Sequence, residues 1–236
     1  MTAQLNPRGD VAVLVAAAGM GIRLGPGAPK ALRLLDGEPL LVHAVRRIAA
    51  CPTVAAVVVA APPGELGAVR SLLGSVAPVT VVAGGETRQR SVAAALAAVP
   101  ANLPVVLVHD AARALAPPEL IERVAAAVRD GHEAVIPVLP VVDTVKEVAA
   151  DGSVIGTVDR AALRLVQTPQ GFRRDVLALA HETAVDALTD DAGLVEKLGV
   201  RVHCVPGDER ALKITRPFDL AVAQALLAAN DRRNLA

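Results

Sequence analysis

Short apolar runs alternate along the chain with longer segments in which apolar residues recur every three or four positions. The runs predict parallel strands that are buried on both faces of a sheet, at residues 11–16, 54–60, 79–82, 104–108 and 133–137. The segments between them predict amphipathic helices, at residues 39–50, 64–73, 87–98 and 117–129. Alternating strands and helices predict an α/β fold of three layers, α/β/α, around a mostly parallel twisted sheet with right-handed crossovers.

The pattern changes after residue 136. Strand-like segments at 143–148 and 154–158 flank Asp151-Gly152, and two such segments around an Asp-Gly pair predict a β-hairpin. A hairpin with solvent on both sides is only marginally stable alone. We therefore expect this hairpin to pack against a second copy of the chain, which predicts a homodimer.

The remainder of the chain continues without a linker or an internal repeat. A strand is predicted at 201–205, and helices are predicted at 173–187, 190–198 and 217–229. We expect one domain over residues 1–236, from which an arm at about 138–166 protrudes.

Composition and charge argue against several classes of function. The chain has 236 residues, its 24 Lys+Arg are balanced by 24 Asp+Glu, and 53% of its residues are hydrophobic. A zero net charge without a basic run argues against binding to nucleic acid or to an anionic membrane, and the hydrophobic content argues against a disordered chain. Trp and Tyr are absent, so the chain offers no aromatic platform on which single-stranded bases could stack.

The N-terminal segment and the cysteines bear on where the protein resides. The first ten residues lack the basic and apolar regions of a secretion signal, and no apolar run is long enough to span a bilayer. Cys51 and Cys204 lie far apart in the sequence, and we expect both to be small apolar residues in a reducing compartment. These features predict a cytoplasmic protein.

A glycine-containing loop follows the first predicted strand. Gly19-x-Gly21 invites comparison with a dinucleotide-binding motif, but the third glycine would fall on Leu24 and no acidic residue closes the second strand. A loop that holds phosphate groups fits better, because glycines let backbone N–H groups approach an anion closely. Arg23 and Lys30 add two positive charges that could hold a polyphosphate from two sides. The alternative is that both are solvated surface charges.

This loop and six further motifs carry a resemblance to a known family. Residues 17–23, Ala-Ala-Gly-x-Gly-x-Arg, followed by Pro29-Lys30, are similar to the signature of nucleotidyltransferases with a glycosyltransferase-A-type domain. The other motifs are Gly84-Gly85-Glu86-Thr87-Arg88, Val108-His109-Asp110-Ala111-Ala112-Arg113, Asp143-Thr144, Val158-Asp159-Arg160, Gln167-Thr168-Pro169-Gln170 and Lys213-Ile214-Thr215-Arg216-Pro217. Together, over about residues 10–230, they resemble the 2-C-methyl-D-erythritol 4-phosphate cytidylyltransferase family of the non-mevalonate isoprenoid pathway.

The resemblance implies a Rossmann-like nucleotidyltransferase fold and a specific reaction. CTP and a sugar-alcohol phosphate, 2-C-methyl-D-erythritol 4-phosphate, would give a CDP-linked product and pyrophosphate. The substrate phosphate would attack the α-phosphorus in line with the leaving pyrophosphate, a reaction that depends on positioning and charge neutralisation. No nucleophilic Ser or Cys is expected to take part.

The resemblance also implies roles for residues of these motifs. The residues implied in catalysis are the cations Arg23, Lys30, Arg160 and Lys213. The residues implied to bind the nucleotide are Ala17, Ala18, Gly19, Gly21, Gly85, Glu86, Ser91, Asp110 and Ala111. The residues implied to bind the second substrate are Arg113, Thr144, Arg160, Thr168 and Lys213. An arm exchanged across a homodimer would supply Thr144 and Arg160.

Asp110 is the residue implied to contact a metal ion. It follows the predicted strand at 104–108, at the edge where open α/β sheets bind ligands. A carboxylate that faces a triphosphate requires a bridging cation, and hard oxygen ligands with phosphates favour Mg²⁺ or another divalent cation. The alternative is that Asp110 caps the following helix. Asp208 or Glu209 would add a second metal contact.

Several alternatives stay open from the sequence. Ser91 is either a hydroxyl that reads the base or a serine on a helix surface, and His109 is interpreted as structural. Thr189-Asp190-Asp191 is typical of a helix N-cap with an acidic first turn. The alternative functions are another sugar-phosphate cytidylyltransferase (for example one that acts on ribitol 5-phosphate), a nucleotidyltransferase for a molybdenum cofactor, a non-catalytic nucleotide-binding module and a nicotinamide-dependent dehydrogenase.

Overall fold

The computed structural model describes residues 5–184, 188 and 190–234, with side chains described up to residue 229. In these residues the strands, numbered along the chain, are β1 (Val11–Ala16), β2 (Leu34–Leu35), β3 (Glu38–Pro39), β4 (Val54–Ala61), β5 (Thr80–Ala83), β6 (Val105–Asp110), β7 (Ala134–Pro140), β8 (Val145–Val148), β9 (Val154–Val158), β10 (Arg164–Val166), β11 (Gln170–Arg173) and β12 (Val202–Pro206). The helices are α1 (Leu40–Ala49), α2 (Leu66–Gly74), α3 (Arg88–Ala97), α4 (Pro118–Arg129), α5 (Arg174–Thr183), α6 (Asp191–Lys197) and α7 (Pro217–Asn234). The predicted α/β fold is confirmed.

The order of the strands in the main sheet fixes where a ligand can bind. The order is β10-β7-β11-β6-β1-β4-β5, and β12 pairs with β7. β1 lies between β4 and β6 and is parallel to both, so that Ala16 is opposite Ala60 on one side and Asp110 on the other. From β1 the chain builds the sheet outward through β4 and β5 and then returns to the other side of β1. Such a switch point opens a crevice at the carboxyl ends of the strands.

Two hydrophobic cores, one on each face of the sheet, hold the three layers together. Side chains alternate along β1, so Val13 packs with helices α1, α2 and α4, whereas Leu14 packs with α3, α5 and α6. Both side chains are fully buried, and burying a valine or leucine contributes about 1.5–3 kcal/mol. The central strands are therefore rigid supports for the loops that follow them.

Some strands were not predicted because they are short or antiparallel. β11 runs antiparallel to β6 and β7, and β10 runs antiparallel to β7. Phe172, one of the two phenylalanines, is fully buried on β11. The strand predicted at 133–137 is longer, because β7 continues to Pro140 to pair with β10. Of the helix predicted at 173–187, residues 174–183 are helical and 185–187 lie outside the described residues.

The predicted hairpin is confirmed as β8 paired with β9. Val145 is opposite Val158, and Gly152 at the turn has φ +86°, which glycine adopts without strain. Apolar side chains of this region face solvent in the single chain, with Val142 at 74%, Ile155 at 62% and Val154 at 61% exposure. We name residues 138–166 the arm. Its exposed apolar surface is what a partner would cover, and the homodimer stays a prediction.

No helix in the described part of the chain is both long and apolar enough to cross a membrane. The cytoplasmic location stays a prediction.

Candidate active site

A cleft of about 200 Å³ opens at the carboxyl ends of β1 and β6, at the switch point of the sheet. Residues from five separate stretches of the chain meet there. They are Ala16, Ala17, Ala18, Gly19, Lys30, Ala31, Gly85, Glu86, Thr87, Arg88, Ser91, Asp110, Ala111, Ala112 and Lys213. The cleft therefore brings together most residues for which the sequence implied nucleotide binding.

The N-terminal loop forms one wall because it folds back on itself. The backbone N–H of Lys30 donates to the carbonyl of Gly19 over 3.1 Å. Gly21 has φ +70°, and a β-carbon there would lie 2.6 Å from Cβ of Lys30, so glycine is required. Arg33 holds the outer part of the loop by donating to the carbonyls of Ala28 and Gly25, at 2.8 and 2.6 Å. No motif in the sequence pointed to this role of Arg33.

Lys30 and Arg23 place positive charge at the cleft in different ways. Lys30 is half-buried, and burial followed by repulsion from Lys213 lowers the pKa of its ammonium group to about 8. Arg23 lies on the exposed turn Ile22–Leu24, outside the lining of the cleft but close enough for its charge to act on Lys30. Because burial and Lys213 disfavour the charge of Lys30, an anion bound beside it would stabilise the charged form.

The loop before α3 forms the opposite wall and approaches the first loop closely. A β-carbon on Gly84 would lie 2.4 Å from Cβ of Ala18. The N–H of Gly85 donates to Oγ of Ser91 over 3.1 Å, and that hydroxyl donates to the carbonyl of Thr87 over 2.9 Å. Ser91 is buried, so the alternative of a serine on a helix surface is wrong. Backbone groups and one hydroxyl are thus presented to the cleft.

Asp110 is held at the base of the cleft by two cations. Its Oδ1 accepts from Nε of Arg88 over 3.0 Å, and its Oδ2 lies 2.7 Å from Nζ of Lys213. Burial pushes the pKa of the Asp110 carboxyl upward, but the charges of Arg88 and Lys213 outweigh burial and hold the pKa well below its usual range. The carboxylate is ionised and does not cap a helix: α4 begins eight residues later, with Pro117 at its N-cap. The capping alternative is therefore wrong.

Backbone contacts explain how Lys213 reaches Asp110 from the far end of the chain. The N–H of Ile214 donates to the carbonyl of Ala112 over 2.9 Å, which fixes the segment beside the end of β6.

His109 is buried and contacts Oγ1 of Thr168 through Nδ1 at 3.2 Å, and burial lowers the pKa of its imidazole to about 4. A neutral, buried imidazole agrees with the structural interpretation of His109.

Comparison with known proteins decides the family. The model of the 2-C-methyl-D-erythritol 4-phosphate cytidylyltransferase family matches residues 11–229. The chain belongs to this family.

Relatives and solved structures agree with this assignment. A 2-C-methyl-D-erythritol 4-phosphate cytidylyltransferase of Frankia casuarinae is 58% identical over 226 residues, covering 96% of this chain and 84% of the relative. A protein of the same name from Streptomyces avermitilis is 54% identical, and the match covers 92% of this chain and 91% of the relative. A crystal structure of 2-C-methyl-D-erythritol 4-phosphate cytidylyltransferase from Thermus thermophilus superposes with a TM-score of 0.76. The two sequences are 39% identical, and the match covers 92% of this chain and 98% of that chain.

Within this family fold, the residues implied to bind the second substrate lie outside the lining of the cleft, except for Lys213. Thr168 is buried, and its Oγ1 accepts from the N–H of Asp110 over 3.0 Å. Thr144 and Arg160 are exposed on the arm, where Arg160 donates to the carbonyl of Val142. A single chain does not bring these arm residues to the cleft, and their role stays a prediction.

Arg113 is buried and bound to backbone instead of facing open space. Its Nη1 donates to the carbonyl of Ala211 over 2.7 Å and its Nη2 to the carbonyl of Val166 over 3.0 Å. Arg113 therefore links the base of the arm to the segment that leads into Lys213. The phosphate-binding role of Arg113 stays a prediction, whereas this positioning of two segments could not be predicted from the sequence.

The second predicted metal contact is not brought to Asp110. The carboxylate of Asp208 accepts from the backbone N–H of Arg210 over 2.9 Å and pairs with Nη2 of Arg210 at 2.8 Å. Neither Asp208 nor Glu209 lines the cleft. In the described parts of the chain, no three His, Cys, Asp or Glu residues are grouped so that they could hold a metal ion.

Arg88 lines the cleft but was not among the predicted site residues. Besides contacting Asp110, it donates through Nη1 to Oδ2 of Asp191 over 2.6 Å. The predicted N-cap with an acidic first turn is confirmed: Asp190 caps α6 by accepting from the N–H of Gly193, and Asp191 lies in the first turn. Asp191 is also buried and pairs with Arg88, whereas Thr189 lies outside the described residues. The motif around Arg88 signalled its importance, but its partner is 103 residues away.

Proposed function

We propose that the protein transfers a cytidylyl group from CTP to 2-C-methyl-D-erythritol 4-phosphate, giving 4-diphosphocytidyl-2-C-methyl-D-erythritol and pyrophosphate. Membership of the family supports this reaction. The single structural observation that carries it is the convergence of Lys30, Arg88 and Lys213 on one cleft beside the glycine loop. Three cations at one cleft match a substrate with a highly charged polyphosphate.

The cleft stabilises negative charge where it develops. Gly19 and Lys30 line the cleft and would contact the triphosphate, and Arg23 would add charge from the outer turn. An oxygen of the substrate phosphate forms a bond to the α-phosphorus while the bond to the β-phosphate oxygen breaks. Pyrophosphate leaves with that electron pair, and fixed cations stabilise it without reorganisation.

Lys213 is proposed to neutralise charge on the substrate phosphate that attacks the α-phosphorus. Its ammonium lies 2.7 Å from Asp110 at the base of the cleft, so it can neutralise a phosphate that approaches from the side of the arm. Neutralisation reduces the repulsion between two anions that must meet within bonding distance. Lysine suits this role because its charge is compact and its stem is flexible.

A divalent cation fits the cleft only if the nucleotide supplies most of its ligands. Asp110 is the one buried carboxylate in the lining, and each of its oxygens has a cation partner but a further lone pair free. Mg²⁺ is commonly bound through one or two carboxylates together with substrate phosphates. We propose that Asp110 holds Mg²⁺ in this way; when bound, the ion would neutralise charge on the phosphates.

Base selection is proposed for the loop of Gly85 and Ser91. The chain has no Trp or Tyr to stack on a base, and this loop presents backbone groups and a buried hydroxyl to the cleft. Hydrogen bonds to the edge of cytosine discriminate strongly, since a wrong base leaves buried groups unpaired. Glu86 is exposed and pairs with Arg90 at 3.8 Å, and its contact with the nucleotide stays a prediction.

The arm is proposed to complete the site of a second copy of the chain. Its exposed valines and isoleucine offer the apolar surface that a homodimer would bury. Thr144 and Arg160 are exposed on the same arm and offer a hydroxyl and a guanidinium for a phosphate. Each site would then combine a cleft from one chain with an arm from the other.

The pKa of Lys30 predicts proton uptake when CTP binds. Burial lowers the pKa of Lys30 to about 8, so part of the lysine is neutral at that pH. The triphosphate favours the charged form and raises the pKa, so binding takes up protons near pH 8 and weakens as the pH rises further. Calorimetry of CTP binding in buffers of different ionisation enthalpy measures this uptake. Lys30→Arg should abolish it, and an unchanged uptake in that variant would remove Lys30 as its source.

A substrate panel tests the proposed function. Pyrophosphate release is measured with CTP and 2-C-methyl-D-erythritol 4-phosphate, with CTP and ribitol 5-phosphate, and with UTP or ATP and the first acceptor. Only the first pair is expected to turn over efficiently. Equal turnover with ribitol 5-phosphate would reassign the acceptor, and tight CTP binding without turnover on any acceptor would favour a regulatory module.

A further inference from the structure

A histidine outside the cleft ends a row of paired groups that begins inside it. Lys213 pairs with Asp110 at 2.7 Å, and Asp110 pairs with Arg88 at 3.0 Å. Arg88 pairs with Asp191 at 2.6 Å, and Nε2 of His181 lies 3.0 Å from Oδ1 of Asp191. The row runs from the segment of Lys213 through the end of β6 and the first residue of α3 to α6 and α5.

The end of the row formed by Asp191 and His181 is shielded from solvent. Asp191 is fully buried, and the His181 side chain is only 5% exposed. Oδ2 of Asp191 accepts a hydrogen bond from Arg88, and Oδ1 contacts His181. Each oxygen therefore has one hydrogen-bond partner among the described residues. A buried carboxylate that loses a partner bears the desolvation cost of the freed oxygen. The orientation of Asp191 therefore depends on both of its partners.

Asp191 in turn decides where the Arg88 guanidinium lies. Arg88 donates through Nε to Asp110 and through Nη1 to Asp191, so that it is held between two carboxylates. Without the Asp191 contact, the Arg88 side chain could rotate away from Asp110 toward solvent. Asp110 would then lose the partner that fixes its Oδ1, and its Oδ2 would no longer be held facing Lys213.

The state of the imidazole is fixed by its surroundings. The contact with Asp191 requires the proton on Nε2, because a carboxylate oxygen only accepts. Nδ1 is buried and has no hydrogen-bond partner among the described residues. An unpaired lone pair is tolerated in a buried position better than an unpaired N–H. His181 is thus the tautomer that donates to Asp191.

We infer that His181 is a positioning residue for the transfer reaction: by donating from Nε2 to Asp191, it holds Arg88 against Asp110 and so orients the Asp110 carboxylate toward Lys213. The inference rests on the proposed function and adds a residue that touches neither substrate. It predicts that catalysis responds to the position of one hydrogen-bond donor on α5.

Two amide variants test that prediction with matched chemistry. His181→Gln places an N–H donor near the position of Nε2, whereas His181→Asn places it near the position of Nδ1. Loss of a hydrogen bond to a charged group predicts that His181→Asn and His181→Leu lower kcat/KM about tenfold or more, with His181→Gln staying close to wild type. His43→Gln on α1 is the control: His43 is also buried and contacts the carbonyl of Leu35 at 2.8 Å outside the cleft.

A second set of measurements separates positioning from stability. Thermal unfolding of every variant is compared, and the ¹⁵N NMR signal of the Arg88 Nε–H group is followed without substrate. We expect the signal to be sharp in wild type and His181→Gln and broadened or shifted in His181→Asn and His181→Leu. In an Asp191→Asn background, His181→Leu should change kcat/KM by less than about twofold, because coupled residues are not additive.

The outcomes distinguish this inference from the proposed function. Absence of transfer activity in wild type would contradict the proposed function, and the NMR comparison would still test the positioning. Normal kcat/KM in His181→Leu, equal losses in the Gln and Asn variants, or an undiminished loss in the Asp191→Asn background would overturn the inference. A loss that only follows the melting temperature, with an unchanged Arg88 signal, would also overturn it.

Discussion

Lys30→Ala is expected to lower kcat about 100- to 1,000-fold, the usual cost of removing a well-placed donor to a developing anion. Lys30 lines the cleft and sits on the loop closed by its own N–H contact to Gly19. Its ammonium group is half-buried at the cleft, and its interaction with the triphosphate should strengthen as charge builds on the leaving group. Steady-state kinetics with saturating CTP and acceptor measures the loss.

The matched control for this variant is another lysine changed in the same way. Lys197→Ala on α6 removes a lysine that does not line the cleft, and its kcat should stay within about twofold of wild type, as is usual for surface substitutions. Circular dichroism and melting temperature should show that Lys30→Ala is folded. A folded Lys30→Ala enzyme with near-normal kcat would remove Lys30 from the mechanism.

Mixing two inactive variants is expected to restore activity if arms are exchanged. Lys30→Ala damages the cleft of its chain, and Arg160→Ala damages the arm. In a heterodimer, the undamaged cleft of the Arg160→Ala chain meets the undamaged arm of the Lys30→Ala chain. Random assortment makes about half of the dimers mixed, each with one intact site of two, so the mixture should reach about a quarter of wild-type activity.

Affinity tags on the two variants allow the mixed dimer to be purified after co-expression. The control is a mixture of Lys30→Ala with Lys213→Ala, in which both defects lie in the cleft and no intact site can form. Activity in the first mixture alone supports the shared site. Confirmed heterodimers of Lys30→Ala and Arg160→Ala without restored activity would contradict it.

The parts of the fold predicted from sequence are those governed by local patterns. β1, β4 and the first four residues of β6 are continuous apolar runs because they are buried on both faces, and this pattern identified the three strands. β11 escaped prediction since its four residues, Gln-Gly-Phe-Arg, have no such pattern and owe their strand structure to pairing with β6 and β7. Tertiary contacts override local preference in segments of this kind.

The residues of the candidate site also form two groups: those that share a short sequence motif, and those that only the fold brings together. Lys30 and Gly21 belong to one short motif, and the sequence alone placed them together. The contacts of Arg88 with Asp191 and of Arg113 with Ala211 join residues 103 and 98 positions apart, and no spacing rule relates such residues. The resemblance implied that Asp208 or Glu209 is a second metal contact, whereas the carboxylate of Asp208 pairs with Arg210 two residues away. Local charge pairing decided its orientation.

The stereochemistry at the α-phosphorus is the most direct test of transfer within a cleft of fixed cations. One diastereomer of cytidine 5′-O-(1-thiotriphosphate) is used as the nucleotide, and the configuration of the product at phosphorus is determined by ³¹P NMR. A single in-line displacement, in which no side chain becomes bonded to phosphorus, inverts that configuration, and inversion is the expected result. Retention would reveal two successive displacements through a covalent cytidylyl-enzyme. That result would contradict direct transfer from CTP to the acceptor.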